Sequence, residues 1–168
     1  MSMAYVDANS AFYEADGTMK KVQAILERAA IAGQQYAQKM VDKEVQRDEM
    51  TDEDIVNRYN ELYNEYICVG EGRAYIDREI NNLENPDVII EYKITEISYI
   101  EPDRDINIEV SVQKTVNKIR KTVSAEFQLL KQPELLVIEK KVNIDQPNNP
   151  VWNRPITAEK NLVAVGAE

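Results

Sequence analysis

Apolar and polar residues recur with the period of an α-helix over the N-terminal stretch of the chain. The apolar positions follow the i, i+3, i+4, i+7 spacing that places side chains on one helix face. They are Val22, Ile25, Leu26, Ala29, Tyr36 and Met40. No proline interrupts the stretch, so the pattern predicts one helix over about 4–45, roughly 60 Å long at 1.5 Å per residue.

A helix of this length is too long for a small domain to cover completely. We expect its uncovered part to be the N-terminal end, which carries Tyr5, Val6, Phe12 and Tyr13. Two glycines, Gly17 and Gly33, fall inside the helix, where each costs about 1 kcal/mol relative to alanine. We interpret both as sites of close packing or of a mild bend.

Two shorter helices are predicted next. Thr51-Asp52-Glu53-Asp54 is a capping sequence, because a threonine hydroxyl can accept from a first-turn N–H and the acids favour the positive helix end. It opens a helix over about 52–69, whose apolar face carries Ile55, Tyr59, Leu62, Tyr63 and Tyr66. Gly70-Glu71-Gly72 breaks this helix. Another follows over about 73–84 with Ile76, Ile80 and Leu83 inward, and Asn85-Pro86 ends it.

After Pro86 the period changes to two, which indicates strands. Four strands are predicted, over about 88–100, 105–114, 119–130 and 135–144. The first has Ile90, Tyr92 and Ile94 on one face, and a phase slip near Thr95-Glu96 suggests a bulge. The two middle strands alternate strictly around a turn near Val116-Asn117-Lys118, which is typical of a half-buried antiparallel hairpin. Their inward residues are Ile106, Ile108, Val110 and Val112, then Ile119, Val123, Ala125, Phe127 and Leu129.

The segment 146–168 has a different composition. Its prolines exclude regular structure, and Trp152 is an apolar anchor that either pins the tail to the domain or contacts a neighbouring subunit. The rest, over about 4–145, forms one domain. Since an apolar sheet face must be covered and the long helix offers a matching stripe, we expect an α+β fold: a long N-terminal helix and shorter helices on an antiparallel sheet of three to four strands.

Composition narrows the function. The 168 residues are 43% apolar, as in a globular protein, and 20 basic against 30 acidic residues give a net charge of −10. Such a charge disfavours nucleic acid and anionic membranes as partners. The chain has no histidine, which removes the commonest general base and zinc ligand. Its single cysteine, Cys68, lies among apolar residues and is interpreted as a small buried hydrophobe.

Carboxylates are the remaining candidate chemistry. The pairs Asp103/Asp105 and Glu109/Glu126 fall on a turn and on a polar sheet face, where a catalytic dyad is not expected. Residues 42–61 hold eight acids and three bases. Their spacing matches no calcium-binding EF-hand loop, so we assign them to helix capping, with calcium binding as the alternative. We therefore expect no enzyme activity, no metal and no cofactor.

Asn9-Ser10-Ala11-Phe12-Tyr13-Glu14-Ala15-Asp16-Gly17 resembles the segment that follows the membrane helix in type IV pilins and type II secretion pseudopilins. The likeness is greatest to minor pilins of the PilX and GspK kind, where an Ala-Phe-Tyr-x-Ala-x-x-Gly run recurs on the spine helix. The stretch Thr115 to Phe127 is similar to the closing hairpin of PilX-like subunits. Members of this family also have a leader and a membrane helix, which this sequence lacks. We interpret the chain as a soluble truncation in which Met1-Ser2-Met3 replaces them.

The resemblance implies a structural subunit at the tip of a type IV pilus or secretion pseudopilus, which primes fibre assembly with other minor pilins. It implies a location at the cell surface, with membrane contact only through the absent N-terminal helix. Tyr5, Phe12, Tyr13 and Trp152 are the candidate partner contacts. A soluble structural or adaptor subunit of a phage or contractile injection machine is the alternative, and a natural start at Met1 would favour it.

Overall fold

The computed structural model of the protein describes residues 3–94, 106–129, 137–143 and 155–157. It is an α+β structure in which three helices precede an antiparallel sheet. The helices are α1 (Met3–Arg47), α2 (Asp52–Cys68) and α3 (Glu71–Leu83). The strands are β1 (Val88–Ile94), β2 (Ile106–Val116), β3 (Ile119–Leu129), β4 (Val137–Asn143) and β5 (Pro155–Thr157).

The sheet is a simple meander in the order β1-β2-β3-β4-β5, with every neighbouring pair antiparallel. Asn117 and Lys118 both have positive φ, 48° and 69°, which is the backbone of a two-residue hairpin turn of type I′. The turn predicted there is therefore confirmed. This turn fixes the register of β2 and β3, with Val116 opposite Ile119 and Ile106 opposite Leu129.

One face of the sheet forms the core with α1. The predicted inward residues of β2 are all buried, and so are Val123, Ala125, Phe127 and Leu129 of β3. Opposite them, α1 buries a continuous stripe from Ala11 to Val41. Because strand residues alternate between faces, the same register turns Glu91, Glu109 and Glu126 to the other side.

The N-terminal half of α1 lies along the β2–β3 hairpin. Ala11 and Ala15 are completely buried, Asn117 donates a hydrogen bond to Asp7, and Lys114 pairs with Glu14. The expectation that this end stays uncovered is therefore wrong for its inner face. The reason is the length of the hairpin, because two strands of 11 residues reach almost to the start of the helix.

The C-terminal half of α1 packs against α2 and α3. Thr51 accepts a hydrogen bond from the Asp54 backbone while the Asp54 carboxylate accepts one from the Thr51 backbone, both 3.1 Å long, which confirms the predicted cap. Tyr59 and Tyr63 are buried, and Tyr66 stacks on Tyr36 with ring centroids 5.1 Å apart.

The glycines next to this tyrosine cluster have steric roles. A β-carbon at Gly33 would lie 3.1 Å from the Tyr66 ring, which confirms close packing there. One at Gly72 would lie 2.7 Å from the same ring and 2.8 Å from the Tyr66 carbonyl oxygen. Gly72 thus lets α3 begin two residues earlier than the sequence predicts, with Gly70 as its N-cap.

Two other predictions meet the structure only in part. The described part of β1 ends at Ile94, so the bulge near Thr95-Glu96 lies outside the described residues, as do Asp103 and Asp105. The prediction that segment 146–168 has no regular structure is wrong for Pro155–Thr157, which pair with Ile138–Lys140 as β5. Proline is compatible with this position because it begins a short strand and has no N–H to leave unpaired.

Candidate interaction surfaces

The start of α1 exposes large apolar side chains on its outer side. Met3, Tyr5 and Tyr13 are 72%, 55% and 70% exposed, and Val6 is also exposed. Single exposed apolar residues are common, but Val6 and Tyr13, seven residues apart, lie on the same side of the helix, with Tyr5 beside them. Such a group forms a patch that protein surfaces usually cover. We call Tyr5, Val6 and Tyr13 the α1 apolar patch.

Phe12 does not belong to this patch. Its side chain is half-buried and packs against the core, with its ring 5.4 Å from that of Tyr13 in an edge-to-face arrangement. The sequence places Phe12 among the exposed contacts, and that expectation is wrong for most of its ring. A charge at Phe12 would act on folding as well as on binding, so Tyr13 is the better position at which to test a partner contact.

Gly17 follows the patch on α1 and differs from the other glycines. A β-carbon placed there would have nothing within 4 Å. Among the described residues, the interpretation of Gly17 as a site of close packing is therefore wrong, and the alternative of a mild bend stays a prediction. Gly17 leaves an open notch in the helix surface, at the cost of about 1 kcal/mol relative to alanine.

Two ion pairs lie at the margin of the α1 apolar patch. Lys20 lies 3.8 Å from Asp16 one turn earlier, and Lys114 of β2 lies 3.8 Å from Glu14. Both pairs are partly exposed, and such pairs contribute at most about 1 kcal/mol and are screened by salt. They leave the apolar side chains accessible, so the surface combines an apolar centre with a polar margin, as protein interfaces do.

A second surface lies on the outer face of the sheet. A shallow groove of about 490 Å³ is lined by Glu91, Lys93, Glu109, Ser111, Ser124 and Glu126, together with intervening backbone. Glu109 and Glu126 stand directly opposite each other across β2 and β3. Both are exposed, so the pair carries like charges in contact with solvent and lacks burial from water.

The acid-rich segment 42–61 contains a salt-bridge clasp between α1 and α2. Arg58 Nε donates to both carboxylate oxygens of Glu44, at 3.0 and 2.9 Å, and Arg58 Nη1 donates to Glu61 at 3.2 Å. These hydrogen bonds hold the pKa of Glu44 below its usual range and raise that of Arg58. The segment thus caps α2 and joins it to α1 through a salt bridge.

Two further features of the described residues bear on metal binding and on thiol chemistry. Among these residues, no three Cys, Asp or Glu side chains are grouped so that they could hold a metal ion. Cys68 is half-buried and packs against the core, so it is less enclosed than the sequence predicts.

The structure separates the candidate contact residues. Tyr5 and Tyr13 share the α1 apolar patch, Phe12 packs inward, and Trp152 lies outside the described residues. Sequence reasoning missed the open notch at Gly17. The spacing Val6, Tyr13, Gly17 could have signalled it, because steps of seven and four residues return to the same side of a helix.

Comparisons with known proteins add no relative. No protein-family model matches the chain, and no curated protein or solved structure matches it significantly. Among the residues that the structure describes, no helix combines the length and the apolar character needed to cross a bilayer.

Proposed function

We propose that the chain is the headgroup of a minor pilin or pseudopilin. In this function it assembles with other minor pilins at the tip of a type IV pilus or secretion pseudopilus and primes fibre growth. A pilin fold is a long helix lying on an antiparallel meander, with one side of the helix left for neighbouring subunits. The Ala11-to-Gly17 motif lies on that helix, at the end that carries the α1 apolar patch.

A single observation carries the proposal: among the described residues, only one side of the N-terminal half of α1 is covered. Ala11 and Ala15 are buried against the sheet, whereas Tyr13, two residues from each, is 70% exposed. A helix of an isolated domain gains nothing from a large apolar side chain in water. A helix that packs against a neighbouring helix gains from burying that side chain, and an open glycine allows a close approach.

The proposed partners are proteins of the same class, and the proposed location is the cell surface. Membrane contact would come from an apolar helix that continues α1 before Met3. The proposal includes no enzyme activity, cofactor or nucleic acid, since the two surfaces described consist of an apolar helix patch and a solvated polar groove.

Co-purification of this domain with candidate minor pilins tests the proposal. Tyr13→Ser should weaken the complex at least about tenfold, because it removes a large anchor from the centre of the contact. Val69→Ser is the matched control, since Val69 at the end of α2 is also 70% exposed but lies outside the patch. A complex that is equally sensitive to both changes, or no complex with any helix-then-sheet subunit, would contradict the proposal and favour a soluble adaptor.

A further inference from the structure

β1 forms an open edge of the sheet in the described residues. Its partner on one side is β2, and within the described ranges nothing pairs with the other side. The direction of each backbone group follows from two contacts at the start of the strand. The Thr115 N–H donates to the Asp87 carbonyl, whereas Val88 and Asn85 exchange two backbone hydrogen bonds of 3.2 and 3.0 Å.

These contacts fix which residues face the open edge. Asp87 points toward β2 and Val88 points away from it, and the direction alternates along an antiparallel strand. The N–H and C=O groups of Ile90, Tyr92 and Ile94 therefore point outward from the sheet. Six strong hydrogen-bonding groups in one row form a template for another strand.

We propose that a second copy of this chain pairs with this edge, antiparallel and two-fold symmetric, with Tyr92 opposite Tyr92 of the other copy. This register brings Ile90 opposite Ile94 on either side of the axis. Each of these three residue pairs is of the hydrogen-bonded type, so all six outward groups are used. The two sheets would then become one continuous sheet.

The charges on β1 select this register. It places Glu91 opposite Lys93 twice, in the positions between hydrogen-bonded pairs, where side chains approach most closely. Centring the pairing on Glu91 would oppose two glutamates, and centring it on Lys93 would oppose two lysines. Centring it on Ile90 would require groups of Val88 that Asn85 already occupies. The pairing about Tyr92 satisfies both the charges and the hydrogen bonds with residues of the described strand alone.

The apolar side of β1 supports the same partner. Tyr92 and Ile94 are only half-buried, and they continue the inward row that begins at buried Ile90. In the proposed pair this row meets its own copy, so apolar side chains at the end of one core gain apolar neighbours. Self-complementarity of this kind, in which each contact occurs twice, is the property of a two-fold interface.

The orientation of the pair separates it from the proposed function. A two-fold axis perpendicular to the continuous sheet relates each helix of one copy to an antiparallel helix of the other, so the two α1 helices would run in opposite directions. The pair therefore joins antiparallel copies rather than neighbours whose α1 helices run in the same direction. It does not use the α1 apolar patch, and either proposal can hold without the other.

Sedimentation velocity of the full chain, at concentrations up to about 1 mM, measures the dimer affinity of the wild type and of charge-swap variants. Glu91→Lys and Lys93→Glu should each weaken the dimer about tenfold, because like charges then meet twice. The double variant Glu91→Lys/Lys93→Glu should restore the wild-type affinity. Circular dichroism and Tm of each variant separate this effect from misfolding.

Two outcomes would overturn the proposal. The first is a wild-type chain that stays monomeric over the whole concentration range. The second is a dimer whose affinity does not change in the single swaps or does not recover in the double swap. Binding of other minor pilins through Tyr13 has no bearing on either outcome, so failure here is distinct from failure of the proposed function.

Discussion

The two halves of α1 both bury small residues on their inner side, but they differ in what covers the rest of the helix. In the N-terminal half, 3–24, small residues such as Ala11 and Ala15 face the sheet while Tyr13 faces solvent. In the C-terminal half, 25–47, small residues again face inward, but the space around Gly33 is filled by large rings from α2. Among the described residues, the first half is covered on one side, whereas the second packs against α2 around Gly33.

This difference indicates where stability and recognition reside. Around the second half, three tyrosines of α2 and the Arg58 clasp fix the helices to one another. The first half rests on a hairpin and keeps its apolar patch and its open glycine. Apolar burial supplies most of the stability of a domain, so a large residue left outside the core is free to serve an interface.

The largest predicted effect is in the sheet that supports α1. Phe127→Ala should reduce the free energy of unfolding by about 3–5 kcal/mol, because a completely buried aromatic ring leaves a cavity when it is removed. Urea unfolding followed by circular dichroism measures this loss. Glu126→Gln, one residue earlier and exposed, is the control and should change stability little. A small loss at Phe127 would mean that the hairpin contributes little to holding α1.

Alanine substitution at Gly72 of α3, which packs on the tyrosine cluster beside the second half of α1, and at Gly17 in the first half compares a packed glycine with an open one. Gly72→Ala should destabilise by about 1–3 kcal/mol, because its new methyl group meets the Tyr66 ring and backbone. Gly17→Ala should stabilise by up to about 1 kcal/mol, because the helix gains propensity and nothing obstructs the methyl group. Thermal unfolding of both variants provides the measurement. Equal signs at the two positions would remove the distinction between a packed side and an open side.

The sequence predicts those parts of the fold that depend on local periodicity. Strict alternation identified the buried residues of β2 and β3, and the Thr51 capping box identified the start of α2. The helix predicted over about 4–45 is observed as Met3–Arg47. Each of these features follows from residues close together in the chain.

Features that depend on docking could not be predicted in the same way. Gly17 and Gly33 look alike in the sequence. Gly33 is packed because the side chains of α2 lie against it, and Gly17 is open. Phe12 and Tyr13 are neighbours, yet the sheet covers mainly one of them. The Glu44–Arg58 contact joins residues 14 apart whose meeting depends on the angle between two helices. The edge groups of β1 became apparent only from the hydrogen bonds at Asp87 and Val88.

The smallest predicted effect concerns the Glu44–Arg58 clasp between the C-terminal half of α1 and α2, and it depends on pH. Because hydrogen bonds from Arg58 lower the pKa of folded Glu44, the folded state holds its proton less tightly than the unfolded chain does. The clasp therefore contributes fully above the unfolded pKa of about 4.5, and its contribution disappears as pH falls through the lower folded value. Both side chains are partly exposed, so solvent screening limits the contribution to about 1 kcal/mol or less.

Glu44→Gln should thus lower Tm slightly at pH 7 and leave it unchanged once the wild-type carboxylate is protonated in acid. Glu53→Gln, an exposed carboxylate in the first turn of α2, is the matched control, because it interacts with the helix end rather than with Arg58. Thermal unfolding of the wild type and both variants, from pH 7 down to acid pH, measures the change in Tm that each substitution causes. If the gap between wild type and Glu44→Gln persisted at low pH, the clasp would act through packing of the Arg58 side chain rather than through charge.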